Sequence, residues 1–339
     1  MKRSRVGLIE ITDWHNLMAA FHRAAKGARN GPEVERFRKR LEQEVARLQE
    51  GLSNGDLTLG RMRRFHIYDP KPRVIHAPCF RERVIHHAVM VHVGPVLERA
   101  LINDTFACRP GKGTLAAVKR CQHHLRRFPW FVQIDIRAYF ASVDHLVLLN
   151  LLGRKFKDPW LLSLLQRILD TYTTATGKGL PIGALTSQHF ANYYLAGADR
   201  LILEDRRTRG MVRYMDDIVW FCDDRNRINA TLKLVEIYLQ EALKLEIKQP
   251  VNIGPSHHGL VFCGHRILPG AIRLSRRRKK RYIQLRRAYE LAYLRAEIGA
   301  AGLQSAYASV LATTVHANAV AWRREQLRRA PLEGALNAL

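Results

Sequence analysis

Acidic residues are scarce in this chain. Only 30 Asp+Glu stand against 56 Lys+Arg, a formal charge of +26 over 339 residues. Such an excess opposes compaction unless a polyanion neutralises it, so the default partner is nucleic acid, with an anionic membrane surface as the lesser alternative. Cysteine is also sparse: five residues (79, 108, 121, 222 and 263) lie far apart with no CxxC pair. That argues against a zinc ribbon and a disulfide framework. It predicts a reduced, cytosolic setting in which the cysteines are small buried hydrophobes. No apolar run reaches the roughly 18–20 residues that span a bilayer. The basic start Met1-Lys2-Arg3-Ser4-Arg5 is soon interrupted by Glu10, Asp13 and His15, so no signal-peptide apolar region follows. Repeats and low-complexity linkers are missing too. What remains is 47% hydrophobic, which speaks against disorder of the whole chain, and a length that allows one large domain or two to three small ones.

Apolar spacing sketches the elements. Pro32 opens a helix over 32–50, with Val34, Phe37, Leu41, Val45 and Leu48 at three- and four-residue steps. Gly51, Asn54 and Gly55 end it. Arg61 to Pro78 alternates basic and apolar residues, which predicts a basic β-ribbon turning at Pro70 and Pro72. Helices are expected over 81–101, over 144–172 with a division near Lys157-Asp158-Pro159, and over 187–205 and 229–244. Phe131 to Asp135 reads as a short strand and Met211 to Asp223 as a hairpin. From Ala271 to Ala330 there are 14 Lys/Arg and three Glu, beginning with Arg276-Arg277-Arg278-Lys279-Lys280-Arg281. A charge run is often a solvated helix face, but in so basic a chain a phosphate-contacting surface is favoured.

Tyr214-Met215-Asp216-Asp217 is the most informative tetrapeptide. Aspartates are common in surface turns. This turn, however, lacks Gly and Asn, and both flanks are buried-type strands. Two like charges at the tip of a core hairpin are costly unless a cation neutralises them. Asp135, at the end of the Phe131–Ile134 run, supplies a third carboxylate if its strand pairs beside the hairpin. Three carboxylates on neighbouring strands suit hard, oxygen-seeking Mg²⁺, and two such ions serve an in-line displacement at phosphorus. With the basic charge, this points to nucleotidyl transfer. The paired histidines 86–87, 123–124 and 257–258 carry no assigned role, because adjacent residues face different ways. Gly111-Lys112-Gly113-Thr114 is not a P-loop, since the first Gly and the final Ser/Thr are missing.

Tyr214–Asp217 resembles the active-site hairpin of reverse transcriptases. Phe131–Asp144 (FVQIDIRAYFASVD) resembles their first catalytic motif, and Gly179–Leu195 (GLPIGALTSQHFANYYL) their second. Lys71–Ile75, Phe80–His87 and Phe106–Thr114 resemble segments of bacterial members, and Gly259–Ile267 the primer-grip turn. The likeness runs from about residue 55 to 270 in the family's order. It implies an α+β right-hand polymerase: an N-terminal helical extension at 1–54, fingers and an antiparallel-sheet palm at 55–270, and a basic helical thumb at 271–339. It also implies RNA-directed DNA synthesis from dNTPs on template RNA, with an RNA–DNA hybrid as product and no membrane partner. Asp135, Asp216 and Asp217 would be catalytic and hold two Mg²⁺, with Mn²⁺ as a substitute. Arg73, Phe140 (a steric gate under the sugar), Ile182, Gly183, Gln188 and Lys248 would bind the nucleotide. Lys71, Arg109, Lys112 and Arg276, Arg277, Arg278, Lys279 and Lys280 would contact template and primer.

Ile182-Gly183-Ala184-Leu185-Thr186-Ser187-Gln188 further resembles diversity-generating retroelement enzymes, which copy RNA with errors at adenines so that the cDNA rewrites a variable gene. They work with a small basic barrel-forming oligomeric accessory protein, in a bacterial or phage-infected cytoplasm. Ala184, where many relatives carry Asn, departs from that pattern, and the lysine expected after the 229–244 helix is displaced, with Lys248 nearest. The alternatives are a retron-like or phage-defence enzyme copying its own non-coding RNA, and a non-catalytic RNA-binding scaffold.

Overall fold

Helices and antiparallel strands share the chain in this computed structural model, which describes residues 2–27, 31–68 and 72–332. Four helices come first: α1 (Leu8–Thr12), α2 (Trp14–Ala25), α3 (Pro32–Lys39) and α4 (Leu41–Asn54). The basic ribbon follows as β1 (Met62–Tyr68) and β2 (Pro72–Pro78), then α5 (Phe80–Glu98), α6 (Thr114–Arg127) and β3 (Trp130–Asp135). Next come α7 (Tyr139–Ser142), α8 (His145–Gly153), α9 (Pro159–Asp170), α10 (Leu185–Tyr194) and α11 (Ala196–Glu204). The hairpin β4 (Thr208–Tyr214) and β5 (Asp217–Cys222) precedes α12 (Arg225–Glu241), β6 (Asn252–Pro255), β7 (Leu260–Phe262), β8 (His265–Ile267) and β9 (Ile272–Leu274). The chain closes on α13 (Arg276–Leu294), α14 (Ala300–Ala312) and α15 (Val320–Arg329).

Several of the scarce acids start helices. Asp13, Asp144, Asp158 and Asp224 each accept a hydrogen bond from a first-turn backbone N–H at 2.8–3.0 Å. Each cap stabilises its helix by about 1 kcal/mol. The helix expected over 32–50 is two helices. Arg40 breaks it (φ −126°, ψ 35°), and the second half runs on to Asn54, where Gly55 caps it at φ 76°. The apolar spacing carries across the break, so periodicity does not reveal it. The tertiary reason is α5: Phe37 packs edge-on against Phe80, and the Glu33 carboxylate accepts from Phe80 N at 3.0 Å. The helix expected over 187–205 is likewise divided, at Leu195 (φ −88°, ψ 0°). Of the cysteines, Cys121 and Cys222 are buried as expected, but Cys108 is exposed. No helix among the described residues is long and apolar enough to cross a membrane.

All three sheets are antiparallel: β1–β2, the four-stranded β4–β5–β3–β6, and β7–β8–β9. The four-stranded sheet is apolar on both faces. Val132, Ile134, Met211, Ile218 and Trp220 enter the main core, with the helices α5, α8, α9 and α10. Phe131, Val212, Val219 and Phe221 enter a second core with α6, β7 and β8. Carboxylates of the paired strands β3 and β5 are found at the strand ends. That is where Asp135 and Asp217 lie, directly opposite each other. The expected boundary at 270/271 cuts the β7–β8–β9 sheet, because Ile272–Leu274 pair with β8.

Candidate active site

Three elements deliver three carboxylates to one place. β3 ends at Asp135 and β5 begins at Asp217, paired across the sheet, while Asp216 sits in the two-residue turn between β4 and β5. Met215, the other turn residue, has φ 61°, a left-handed conformation that is strained for a bulky side chain. The carboxylates feel one another. Burial first, then the Asp135 charge, push Asp216 up to about 6. Burial first, and the Asp135 and Asp216 charges, push Asp217 up to about 7 against the opposing hydrogen bond from Gln133.

Cations answer part of this charge. Lys248 Nζ donates to Asp135 Oδ2 at 3.3 Å, while its backbone N–H donates to the Asp135 carbonyl at 2.8 Å. The Arg73 guanidinium lowers the proton affinity of Asp216 from across a cleft of about 920 Å³. Asp135, Asp216, Arg73 and Lys248 all line that cleft, so four of the expected site residues are brought together. Asp217 is held aside, its Oδ1 accepting from Gln133 Nε2 at 2.9 Å. As the side chains stand, no group of three or more His, Cys, Asp or Glu among the described residues is set to hold a metal ion. The donors nevertheless fit a hard cation: all are oxygen, and the raised proton affinities of Asp216 and Asp217 come first from burial and then from the neighbouring carboxylate charges, both of which a bound cation would offset.

Other expected residues stand elsewhere. Phe140 is half-buried against the main core and is not part of the cleft wall. Tyr139 beside it is buried, its hydroxyl donating to the Ala191 carbonyl. Gly183 and Gln188 line a separate pocket of about 200 Å³ with Arg83, His86 and His87. The Ile182 carbonyl accepts from His76 N of β2 at 2.9 Å, tying this loop to the ribbon. Gly183 (φ +127°) has no room for a side chain, since a Cβ there would meet Ile75 Cγ2 at 2.8 Å. Lys71 lies outside the described residues.

The expected template contacts divide. Arg109 turns inward: it pairs with Glu98 at 2.6 Å and donates to the Ile102 and Thr105 carbonyls, leaving a side chain only 9% exposed. It braces the 98–109 connection and does not face a template. Lys112 donates to Asn103 O and Oδ1 at 2.9 and 2.7 Å and covers the Phe106 ring. Arg276, Arg277 and Lys280 are exposed at the start of α13. Arg278 instead bonds His265 and the Cys263 carbonyl, and Lys279 lies over Trp322 at 5.5 Å. Those two cations join the β7–β8 turn and α15 to α13.

The reverse transcriptase (RNA-dependent DNA polymerase) family matches residues 68–250, more than half of the chain. The chain belongs to this family. The matched span contains every strand-end carboxylate just described. Among similar proteins, the group II intron-encoded protein LtrA of Lactococcus lactis subsp. cremoris is 26% identical over 172 residues, covering 48% of this chain and 29% of that one. The chain thus spans less than a third of that relative's length. Protein YkfC of Escherichia coli (strain K12) is 22% identical over 329 residues, covering 82% of this chain and 84% of that protein. A solved telomerase from Candida albicans, in complex with a fragment of telomeric RNA, superimposes with a TM-score of 0.47 at 12% identity, covering 71% of this chain and 52% of that one.

Sequence reasoning missed the support of this reverse transcriptase turn. Arg213, fully buried, forms a bidentate pair with Asp199 at 2.6 and 2.7 Å. Its remaining N–H groups donate to Asn192 O, Asn192 Oδ1 and the Met215 carbonyl, the last at 2.9 Å. All five guanidinium donors are thereby used, and one of them pins the strained turn. Asp199 also accepts from Thr105 Oγ1 at 3.1 Å. The available signal was a lone Arg inside the buried run Met211-Val212-Arg213-Tyr214.

Proposed function

We propose that the protein is an RNA-directed DNA polymerase, a magnesium-dependent nucleotidyltransferase that extends a primer 3′-OH with dNTPs on an RNA template. The observation that carries this reading is the register that sets Asp135 opposite Asp217, with Asp216 facing Asp135 in a cleft walled by Arg73 and Lys248. Asp135 and Asp216, with Asp217 beside them, would hold two Mg²⁺ (Mn²⁺ as substitute). Such ions activate the attacking hydroxyl and neutralise the leaving pyrophosphate. The chain's own share is positioning. Arg73 offers a guanidinium fork to phosphate oxygens, and Lys248, on Asp135 at 3.3 Å, would be within reach of a nucleotide phosphate in the same cleft. Arg276, Arg277 and Lys280 would grip template and hybrid through the backbone. Residues 1–54 serve as an N-terminal extension and 55–275, through β9, as fingers and palm, with the thumb starting at α13 rather than at residue 271. The setting is cytoplasmic.

Primer extension on RNA by wild type and by Asp216→Asn/Asp217→Asn tests this. Synthesis by the variant falls below detection while RNA affinity stays within about twofold, because the cations that bind RNA are untouched. Extension at the wild-type rate would sink the assignment and leave an RNA-binding scaffold.

The finer reading is an error-prone enzyme of a diversity-generating retroelement, acting with a small basic barrel-forming accessory protein. Ile182 and Ser187-Gln188 support it, together with the Gly183 loop pressed against the ribbon. A cDNA error spectrum concentrated at template adenines is the expected result. Accurate copying at adenines would favour the retron-like or phage-defence alternative.

A further inference from the structure

A second concave site lies away from the cleft and shares no residue with it. It is a cavity of about 570 Å³ between the α3–α4 break, the base of the ribbon and the start of α5. Five cations converge on it: Arg36, Lys39, Arg40, Arg61 and Arg81. The break at Arg40 is what turns the α3 end and the α4 start toward the same space. None of the five side chains has an acidic partner among the described residues. The two acids in the wall are already engaged: Glu33 accepts from Phe80 N at 3.0 Å, and Glu44 pairs with Arg47 at 3.0 Å. Arg81 adds an independent sign. Its Nε is buried with no hydrogen-bond partner, an omission that native interiors rarely tolerate without a ligand or ion. Five cations against two carboxylates leave the concavity positive, a field that favours a bound polyanion. Guanidinium forks suit phosphate oxygens, and the volume falls within the range of pockets that hold small ligands.

The ribbon relates this cavity to the cleft. Arg73, near the start of β2, reaches the cleft, whereas Cys79, just past the end of β2, lines the cavity. Those six residue steps of strand separate the two by roughly 20 Å. We propose that the cavity binds the phosphodiester backbone of an uncopied RNA segment, so that the protein holds its RNA at a second point outside the template–primer duplex. The RNA partner rests on the polymerase reading above; the anion site itself does not.

The test uses the full chain and two probes: a minimal pre-annealed RNA–DNA template–primer, and the same template carrying a single-stranded 5′ RNA extension. The variant is Arg36→Gln/Arg61→Gln, two exposed side chains whose loss leaves the melting midpoint unchanged. For the extended RNA, the slope of log affinity against log salt becomes shallower by about 1.4, at roughly 0.7 per lost single-strand contact. For the minimal duplex, slope, extension rate and the KM for dNTP stay as in wild type. An unchanged slope with the extended RNA overturns the proposal. Equal losses with both probes overturn it too, by making the cavity part of the copying path. A raised KM for dNTP, or extended-RNA binding unaffected while inorganic phosphate binding is lost, overturns it in favour of a free-anion site. The binding arms are repeated on Asp216→Asn/Asp217→Asn protein. A slope difference there, without any copying by the wild type, would sink the polymerase reading while leaving the RNA site standing.

Discussion

The tip of the β4–β5 hairpin and the start of α13 both concentrate charge of one sign, and the fold treats them in opposite ways. At the hairpin, two carboxylates are backed by a buried Arg whose five donors all have named acceptors, one of them the Met215 carbonyl. At α13, six consecutive cations open the helix at the positive end of its dipole, which itself disfavours them. Arg278 and Lys279 are tied down, whereas Arg276, Arg277 and Lys280 reach into solvent. On the polymerase reading proposed above, the contrast matches two tasks. In-line displacement requires atoms held in place, so its charges are over-determined. Gripping a phosphate backbone requires only a field, so its charges are left loose.

Beyond the abolition expected of the paired Asp→Asn change, the largest effect concerns that support. Arg213→Met leaves Asp199 buried without its partner and destabilises the protein by about 3–5 kcal/mol. Adding Asp199→Leu removes the orphaned charge and recovers most of the stability. Activity does not return, because the Met215 carbonyl still lacks its donor. Denaturant melts read the first outcome and primer extension the second. Full recovery of extension by the double variant would reduce Arg213 to a packing role and erase the contrast drawn here.

The pH dependence of the metal-free protein sharpens the same point. Asp216 and Asp217 have proton affinities raised from 3.8 to about 6 and about 7. The native state therefore binds these protons more tightly than the unfolded chain does. Their contribution favours folding below pH 4 and is lost as pH rises from about 4 to about 7. The reference is the Asp216→Asn/Asp217→Asn protein, which carries the same histidines held down to about 4 by burial (His86, His124 and His265) and so cancels their opposing rise. Measured against it, the wild-type melting midpoint should fall across that window in chelator, and Mg²⁺ should flatten the difference by compensating the ionised pair. A difference between wild type and variant that does not fall across the window in chelator would mean the carboxylates are not crowded in solution.

At α13 the effects are smaller and separable. Arg276→Ala, Arg277→Ala and Lys280→Ala should each make the salt dependence of RNA binding shallower by about 0.7–0.9. Arg278→Ala and Lys279→Ala should leave that slope alone and lower stability instead, since they hold His265, Cys263 and Trp322. Salt titrations and melts on the five single variants separate the groups. Equal slopes throughout would make the whole run a solvated face.

This division marks what the sequence made legible. The carboxylate triad could be read because the apolar runs of β3 and β5 are bounded by Asp135 and Asp217, with Asp216 in the turn, and like charges at the tip of a hairpin with buried flanks are costly unless a cation answers them. β3, the β4–β5 hairpin, the ribbon and the basic C-terminal helices followed from composition and alternation, whereas the short strands β6 to β9 did not. The break at Arg40 did not, since Leu41, Val45 and Leu48 keep the helical spacing and only the contacts of Phe37 and Glu33 with Phe80 turn the chain. Nor could sequence tell which cations stay free. Arg109, Arg278 and Lys279 look like Arg276 and Lys280 until their carbonyl, imidazole and aromatic partners are placed. Arg213 and Asp199, fourteen positions apart, become a pair only when α11 packs on β4.

The smallest expected effect lies outside the two regions, at Ile182. Its backbone is fixed by His76 N, and the following Gly183 leaves no slack against Ile75, so the loop itself is rigid. The side chain is half-buried and aliphatic, able to make van der Waals contact but no hydrogen bond. Selection between a matched and a mismatched base then depends on how firmly neighbours hold the nucleotide, and about 1.4 kcal/mol of lost discrimination already gives tenfold more errors. Ile182→Gln or Ile182→Asn adds a polar group without disturbing the His76 bond, which uses only the backbone. The expected outcome is a severalfold drop in misincorporation opposite template adenine, larger than at other bases, with the extension rate nearly unchanged. Deep sequencing of cDNA made on one defined RNA reads it. Equal adenine error spectra would remove the Ile182 side chain from fidelity and leave this loop only its structural task of tying the ribbon to the start of α10.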